Sequence, residues 1–161
     1  MKFVVDGMLG KLTRWLRILG HDVKYSTKLD DTELLGLAKK EKRVLLTRDF
    51  ELYKQATTKG VDAFYLEGQT REEKLAELAK RFGIDLDVDM TMSRCPKCNT
   101  RIKPIPKEEV EDKVKKNTLV HYDKFWECSK CGQIYWQGAH WTRIRRTLEK
   151  ARENLEKKKT K

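Results

Sequence analysis

The chain has 161 residues, 39% hydrophobic and 38% charged, with a formal net charge of +11. That size supports one modest core, and a second only where something besides apolar burial holds it; the mixed, interleaved charge excludes a disordered chain. No apolar run approaches the roughly 20 residues of a membrane span, and Phe3-Val4-Val5 is too short for a secretory leader, so a cytoplasmic protein without membrane contact is expected.

In chain order, four apolar, β-branched or aromatic runs read as strands: Lys2–Val5, Asp22–Tyr25, Arg43–Thr47 and Asp62–Leu66. Helical spacing fills the gaps. Met8–Leu19 places Leu9, Leu12, Leu16 and Leu19 at three- and four-residue steps and ends on Gly20. Thr32–Lys42 carries Leu34, Leu35, Leu37 and Ala38 behind Asp30 and Asp31, which suit a helix start. Phe50–Lys59 follows, then Thr70–Phe82, which opens with Thr70 and Glu73 in capping-box spacing and closes on Gly83. Strand and helix alternating four times predict an α/β domain with a parallel sheet covered on both faces. Ligands of such sheets bind beyond the carboxyl ends of the strands.

After Ile84 the pattern changes. Asp85, Asp87 and Asp89 alternate with Leu86 and Val88, as in an acidic linker or an edge strand. Two Cys pairs, a Lys/Glu-rich stretch and an aromatic cluster come next, and Thr142–Lys161 reads as a basic amphipathic helix and tail. The expected units are therefore residues 1–90, 91–141 and 142–161. Basic side chains outnumber acidic ones by 19 to 16 over residues 1–100 and by 17 to 9 over residues 101–161. A polyanion such as nucleic acid is thus drawn mainly to the C-terminal part.

All four cysteines fall in two C-x-x-C pairs, Cys95/Cys98 and Cys128/Cys131. Each pair can wrap one ion, and two pairs complete a tetrahedral thiolate site for structural zinc. Asn99 and Gly132, just past each pair, tolerate the left-handed backbone such turns need. A reducing compartment disfavours disulfides, and neither pair stands at the strand-to-helix turn of a redox motif. The 29 intervening residues fit a zinc ribbon with a long hairpin insertion. With four thiolates closing the shell, His121 and His140 are read as packing or surface residues. Trp126, Tyr135, Trp136 and Trp141 crowd the second pair, as the small core of the ribbon or as stacking surfaces for unpaired bases.

Three carboxylates fall at strand ends. Asp6 closes the first strand, Asp31 opens the second helix, and Asp49 follows the third strand. The topology gathers them on one rim, where they are individually helix caps or solvated acids, or jointly a site for Mg²⁺ or Mn²⁺. The neighbouring Gly10-Lys11-Leu12 fails as a phosphate loop, because Val5 stands where the first glycine belongs and Leu12 where Ser or Thr belongs. Lys11, Arg14 and Arg17 instead run at three-residue steps, a solvated face or a grip on a nucleic-acid backbone.

Taken together these blocks resemble the Mut7-C RNase family, a PIN-like group. The resemblance rests on Phe3-Val4-Val5-Asp6-Gly7-Met8-Leu9-Gly10-Lys11-Leu12-Thr13-Arg14 continuing to Gly20, and on Asp30-Asp31-Thr32-Glu33-Leu34-Leu35. It extends to Leu46-Thr47-Arg48-Asp49, Ser93-Arg94-Cys95-Pro96-Lys97-Cys98-Asn99 and Tyr135-Trp136-Gln137-Gly138-Ala139-His140-Trp141. It implies a PIN-like three-layer α/β domain followed by a small zinc ribbon and a basic C-terminal helix. Asp6 matches the first family acid, Asp31 the acid opening the helix before the Thr-x-Asp strand, and Asp49 the acid of that motif. The fourth acid has no clear counterpart; Asp30 and Glu33 are its substitutes by position.

The reading that follows is a metal-dependent ribonuclease. Asp6, Asp31 and Asp49 hold Mg²⁺ or Mn²⁺ for water attack on a phosphodiester. Lys11, Arg14, Arg17 and Arg48 meet phosphate, and the ribbon with Arg143, Arg145 and Arg146 grips RNA. The alternative is a non-catalytic RNA- or ribosome-binding protein on the same scaffold, with ribosomal RNA or ribosomal particles as partner. DNA as the substrate stays open, since no residue here recognisably reads a 2′-hydroxyl.

Overall fold

The computed structural model describes residues 1–159; Thr160 and Lys161, the end of the expected basic tail, lie outside the described residues. Strands β1 (Lys2–Val5), β2 (Asp22–Tyr25), β3 (Val44–Thr47) and β4 (Ala63–Tyr65) form one parallel sheet in the order β2-β1-β3-β4. The helices between them are α1 (Gly10–Ile18), α2 (Asp31–Glu41), α3 (Phe50–Thr58) and α4 (Arg71–Phe82). Each expected strand and helix of this part is present, with ends moved by a residue or two.

The pleat divides the core. Phe3 and Val5 of β1 and Leu46 of β3 face Leu12 and Leu16 of α1 and Leu75 and Leu78 of α4. Their neighbours Val4 and Leu45 face Leu34, Leu35 and Ala38 of α2 and Leu52 and Ala56 of α3. Alternation by one residue therefore makes three layers, with helices above and below the sheet. Because the chain steps from β1 to β2 on one side and then to β3 on the other, β1 and β3 flank the point where strand order reverses, which is where such sheets open a crevice.

The stretch expected as a linker or an edge strand is irregular chain strapped over the core. Ile84 and Leu86 are buried with the α1/α4 face, while Asp89 turns the chain by accepting from the Thr91 amide and hydroxyl. Beyond it, β5 (Ile102–Ile105), β6 (Phe125–Cys128) and β7 (Ile134–Tyr135) form an antiparallel sheet. The insertion between β5 and β6 contains α5 (Lys116–His121) and has a core of its own, in which Val110, Phe125 and Ile134 are buried beside Leu119 and Trp136.

The basic helix α6 (Trp141–Lys159) is not a free appendage. Leu148 and Ala151 are buried in the α1/α4 layer, with Ile144 and Leu155 packed beside them, so one stripe of the helix completes the first core. Its register is tied by Arg152, which donates to the Leu86 carbonyl at 3.0 Å and to Asp87 at 2.7 Å.

Candidate metal centre and acidic rim

The four cysteine sulfurs lie within 4.8 Å of one another, which among the described residues is the one such group of three or more metal-ligating side chains. Both knuckles are built alike. The Asn99 amide donates to the Cys95 carbonyl at 2.8 Å, and the Gly132 amide donates to the Cys128 carbonyl at 2.8 Å. Both turning residues are left-handed, with φ of 67° at Asn99 and 76° at Gly132. A tetrahedron with metal–sulfur bonds near 2.3 Å has edges of about 3.8 Å, and Cys95 and Cys131 stand 3.9 Å apart. Donor set, spacing and turns all fit one structural zinc ion. A hydrogen bond from the Gln133 amide draws the Cys131 thiol down to about 7, towards the thiolate that ligates metal.

The aromatic residues divide between packing roles. Trp126 and Tyr135 surround the buried Cys95 and Cys128, and the Tyr135 hydroxyl lies 2.9 Å from the Cys95 sulfur. Trp136 belongs to the insertion core, and the Trp141 indole donates to the Trp136 carbonyl at 3.2 Å. His121 bonds to the Asn117 carbonyl, and His140 is exposed at the entry to α6.

The ribbon is bolted to the sheet through polar contacts at β2 and the end of α1. Arg17 gives two hydrogen bonds to the Val23 carbonyl, at 3.0 and 2.7 Å, and one to the Pro96 carbonyl at 2.8 Å. Asn99 accepts from the Val23 amide at 3.0 Å and donates to Asp22 at 2.7 Å, and Asp22 pairs with the buried Arg43 at 2.9 Å. Burial opposes ionisation of Asp22, but hydrogen bonds from Arg43 and Asn99 hold its carboxyl below the usual range. Gly20 has φ of 99°, and a Cβ there would lie 3.1 Å from the Met92 carbonyl oxygen, so the approach of the strap to α1 demands glycine.

The acids lie at the carboxyl end of the sheet. The Asp6 amide extends the β1–β3 ladder by donating to the Leu46 carbonyl at 3.1 Å. This sets Asp6 beside Thr47, whose fully buried hydroxyl donates to Asp6 Oδ2 at 2.9 Å and accepts the Asp49 amide at 2.9 Å. Asp49 then caps α3, its Oδ1 accepting from the Glu51 and Leu52 amides at 3.0 and 3.3 Å. Tyr25, the last residue of β2, donates to the Gly7 carbonyl at 3.0 Å, and Gly7 packs against Ser26 and Thr27. The loop leading to α2 is thereby held next to Asp6.

The three acids are not joined into one cluster. Asp30, not Asp31, caps α2, accepting from the Glu33 amide at 2.8 Å; Asp31 is the exposed first residue of the helix. Asp6 and Asp49 are coupled through Thr47, and Asp31 opens α2, beyond the loop that is held next to Asp6. Thr47 is the residue the sequence reading passed over, although the Thr-x-Asp spacing signalled it.

The expected phosphate contacts also separate. Lys11 and Arg14 are exposed on α1. Arg17 faces the ribbon, as described, with its guanidinium spent on carbonyls. Arg48 is half-buried and donates to the Gly68 carbonyl at 3.0 Å, fixing the loop after β4. Arg143, Arg145 and Arg146 are exposed on α6, away from its buried stripe. No helix among the described residues is long and apolar enough to cross a membrane.

No curated protein and no solved structure matches the chain. A family model described as the Mut7-C RNAse domain matches residues 1–148, spanning the sheet, the ribbon and the first turns of α6. The chain therefore belongs to the Mut7-C RNAse domain family.

Proposed function

We propose that the protein is a divalent-metal-dependent ribonuclease on a PIN-like scaffold. The observation that carries this reading is the Asp6–Thr47–Asp49 unit, placed outside the carboxyl ends of β1 and β3 where strand order reverses. Asp6 and Asp49 offer hard oxygen donors suited to Mg²⁺ or Mn²⁺. Asp49 spends Oδ1 on its helix cap, and Oδ2 has no hydrogen bond among the described residues, leaving it for a cation. The Thr47 hydroxyl fixes the Asp6 carboxylate and, through the Asp49 amide, the start of α3, so both donors are preorganised. Asp31, the first residue of α2, is the third donor of the proposed set. A bound divalent ion would lower the pKa of water and stabilise charge on the phosphodiester. Lys11 and Arg14, exposed on the helix that follows Asp6, meet the RNA backbone, and Arg143, Arg145 and Arg146 add a second basic face.

A second reading draws support from the absence of Asp6, Asp31 and Asp49 from any tight ligand cluster among the described residues. On that reading the protein binds RNA or ribosomal particles without turnover. Incubation of zinc-loaded protein with end-labelled single-stranded and structured RNA, with and without added Mg²⁺ or Mn²⁺, separates the two. Cleavage that requires the added ion supports the nuclease; salt-sensitive binding with intact RNA under all conditions supports the binder.

A further inference from the structure

A second feature, apart from the acidic rim, stands in the seam between α1, the strap, the ribbon and α6. It is a cavity of about 190 Å³ walled by Tyr135, Trp136 and Trp141, with Ile18 and Ile144 behind them and Arg94 at one side. Sites that enclose a drug-sized ligand run to roughly 300–1,000 Å³, so this one admits a single flat ring system. Its polar group is unusual: the Nε–H of Arg94 is buried with no hydrogen-bond partner among the described residues, while Nη1 of the same side chain donates to the Asn99 carbonyl at 2.9 Å. That Nε has essentially no accessible surface, so it stands behind the wall, and what Arg94 offers the cavity is the positive charge of its guanidinium.

The walls are held in place. Trp141 is fixed by its bond to the Trp136 carbonyl. A Cβ on Gly138 would lie 3.0 Å from the Trp136 indole nitrogen and 3.5 Å from His140, so this glycine lets the Tyr135–Trp141 segment fold tightly round the opening. Aromatic walls beside a guanidinium suit a nucleobase, which offers a π-face to the rings and electron-rich edge atoms to the positive charge.

We propose that this cavity receives one unpaired base of the RNA, an inference that rests on the nuclease reading only for the identity of RNA as ligand. Distance sets which base. Ile18 ends α1, whose nine residues span about 13 Å, and Asp6 stands before the further 3-10 turn Gly7–Leu9, so the cavity and Asp6 lie at opposite ends of this segment. Exposed Lys11 and Arg14 lie on that same helix, between the two sites. The pocket therefore anchors a nucleotide several positions from the scissile phosphate.

The test uses the zinc-loaded full chain carrying Asp6→Asn, to prevent cleavage, titrated with single-stranded RNA bearing 2-aminopurine at successive positions. One position should be quenched several-fold on binding. Ile144→Phe, which fills the cavity, should remove that quench and raise Kd about tenfold, to the value for RNA abasic at that position. Arg94→Gln, which removes the charge beside the cavity, should weaken the intact oligomer more than the abasic one. Ile18→Phe, from another wall, replaces Ile144→Phe if the latter lowers the melting temperature. Bound RNA with no quenched position, or with a Kd indifferent to the filling variant, overturns the pocket. If the wild type still cuts that RNA, the nuclease reading survives; RNA that does not bind at all overturns both.

Discussion

The Thr47 hydroxyl donates to Asp6 Oδ2 at 2.9 Å across neighbouring parallel strands, and the same oxygen receives the Asp49 amide. One buried side chain thus sets the separation of two acids that are 43 residues apart. Thr47→Val keeps the shape but leaves the Asp49 amide and one Asp6 oxygen without this partner. The expected cost is about 1–3 kcal/mol, with cleavage reduced at least tenfold, whereas Thr47→Ser keeps both. Denaturant melts and single-turnover rates on the two variants check this; equal rates for valine and serine would show that the bridge does not position the acids.

Asp49 has a structural duty as well as the proposed catalytic one, and the two separate by substitution. Asn caps helices about as well as Asp, so Asp49→Asn should leave the melting temperature within a degree or two while removing cleavage. Asp49→Ala should lose activity and about 1 kcal/mol of stability together. A fully active Asp49→Asn protein would confine this residue to capping.

Zinc removal should act on the ribbon more than on the sheet. The core between β5 and β7 is small and built round Cys95 and Cys128, so a zinc ion bound there would supply much of its folding free energy. Chelation, or Cys98→Ser, is expected to abolish the near-ultraviolet signal of Trp126 and Trp136 while most helical signal persists. Metal analysis of the native protein should return one zinc per chain. Simultaneous loss of all structure would mean that the sheet depends on the ribbon through Arg17 and Asn99.

His21 gives a pH signature. Burial, the nearby N-terminal amine and Arg94 together hold its imidazole down to about 4. An unfolded histidine titrates near 6.5, so between about pH 6.5 and 4 the unfolded state binds a proton the folded state refuses. Stability is full above that window and falls as pH drops through it. Wild type and His21→Gln should therefore diverge with acidification, the wild type losing more. Parallel stability curves over this window would contradict the burial.

Arg143, Arg145 and Arg146 are exposed on the first turns of α6. If all three meet phosphates, replacing them with Gln should flatten the slope of log K against log salt by about 2 for single-stranded RNA. An unchanged slope would place the RNA path elsewhere.

The sheet was legible because β1 to α4 alternate two periodicities that admit one packing, and the zinc site because two C-x-x-C pairs leave few alternatives. The acids were legible as positions, since topology alone puts Asp6 and Asp49 past the ends of adjacent strands. Other features were hidden for physical reasons. A helix as charged as α6 shows a thin apolar stripe, Ile144, Leu148, Ala151 and Leu155, which does not say that α4 lies beneath it. Arg17 shares a three-residue rhythm with Lys11 and Arg14, but only the docked ribbon turns it from a solvated cation into a clamp on Val23 and Pro96. The unpaired Nε–H of Arg94 has no sequence signature, because it results from three segments meeting.

The proposed function requires that the Asp6–Thr47–Asp49 rim cut RNA. The most direct measurement is the single-turnover rate on end-labelled single-stranded RNA in Mn²⁺, for wild type and Asp6→Asn purified side by side with zinc content and melting temperature recorded on the same samples. Wild type should cleave and Asp6→Asn should not, at equal zinc content and near-equal melting temperature. Equal cleavage by the two proteins, or RNA bound and left intact by both, would contradict the proposed function.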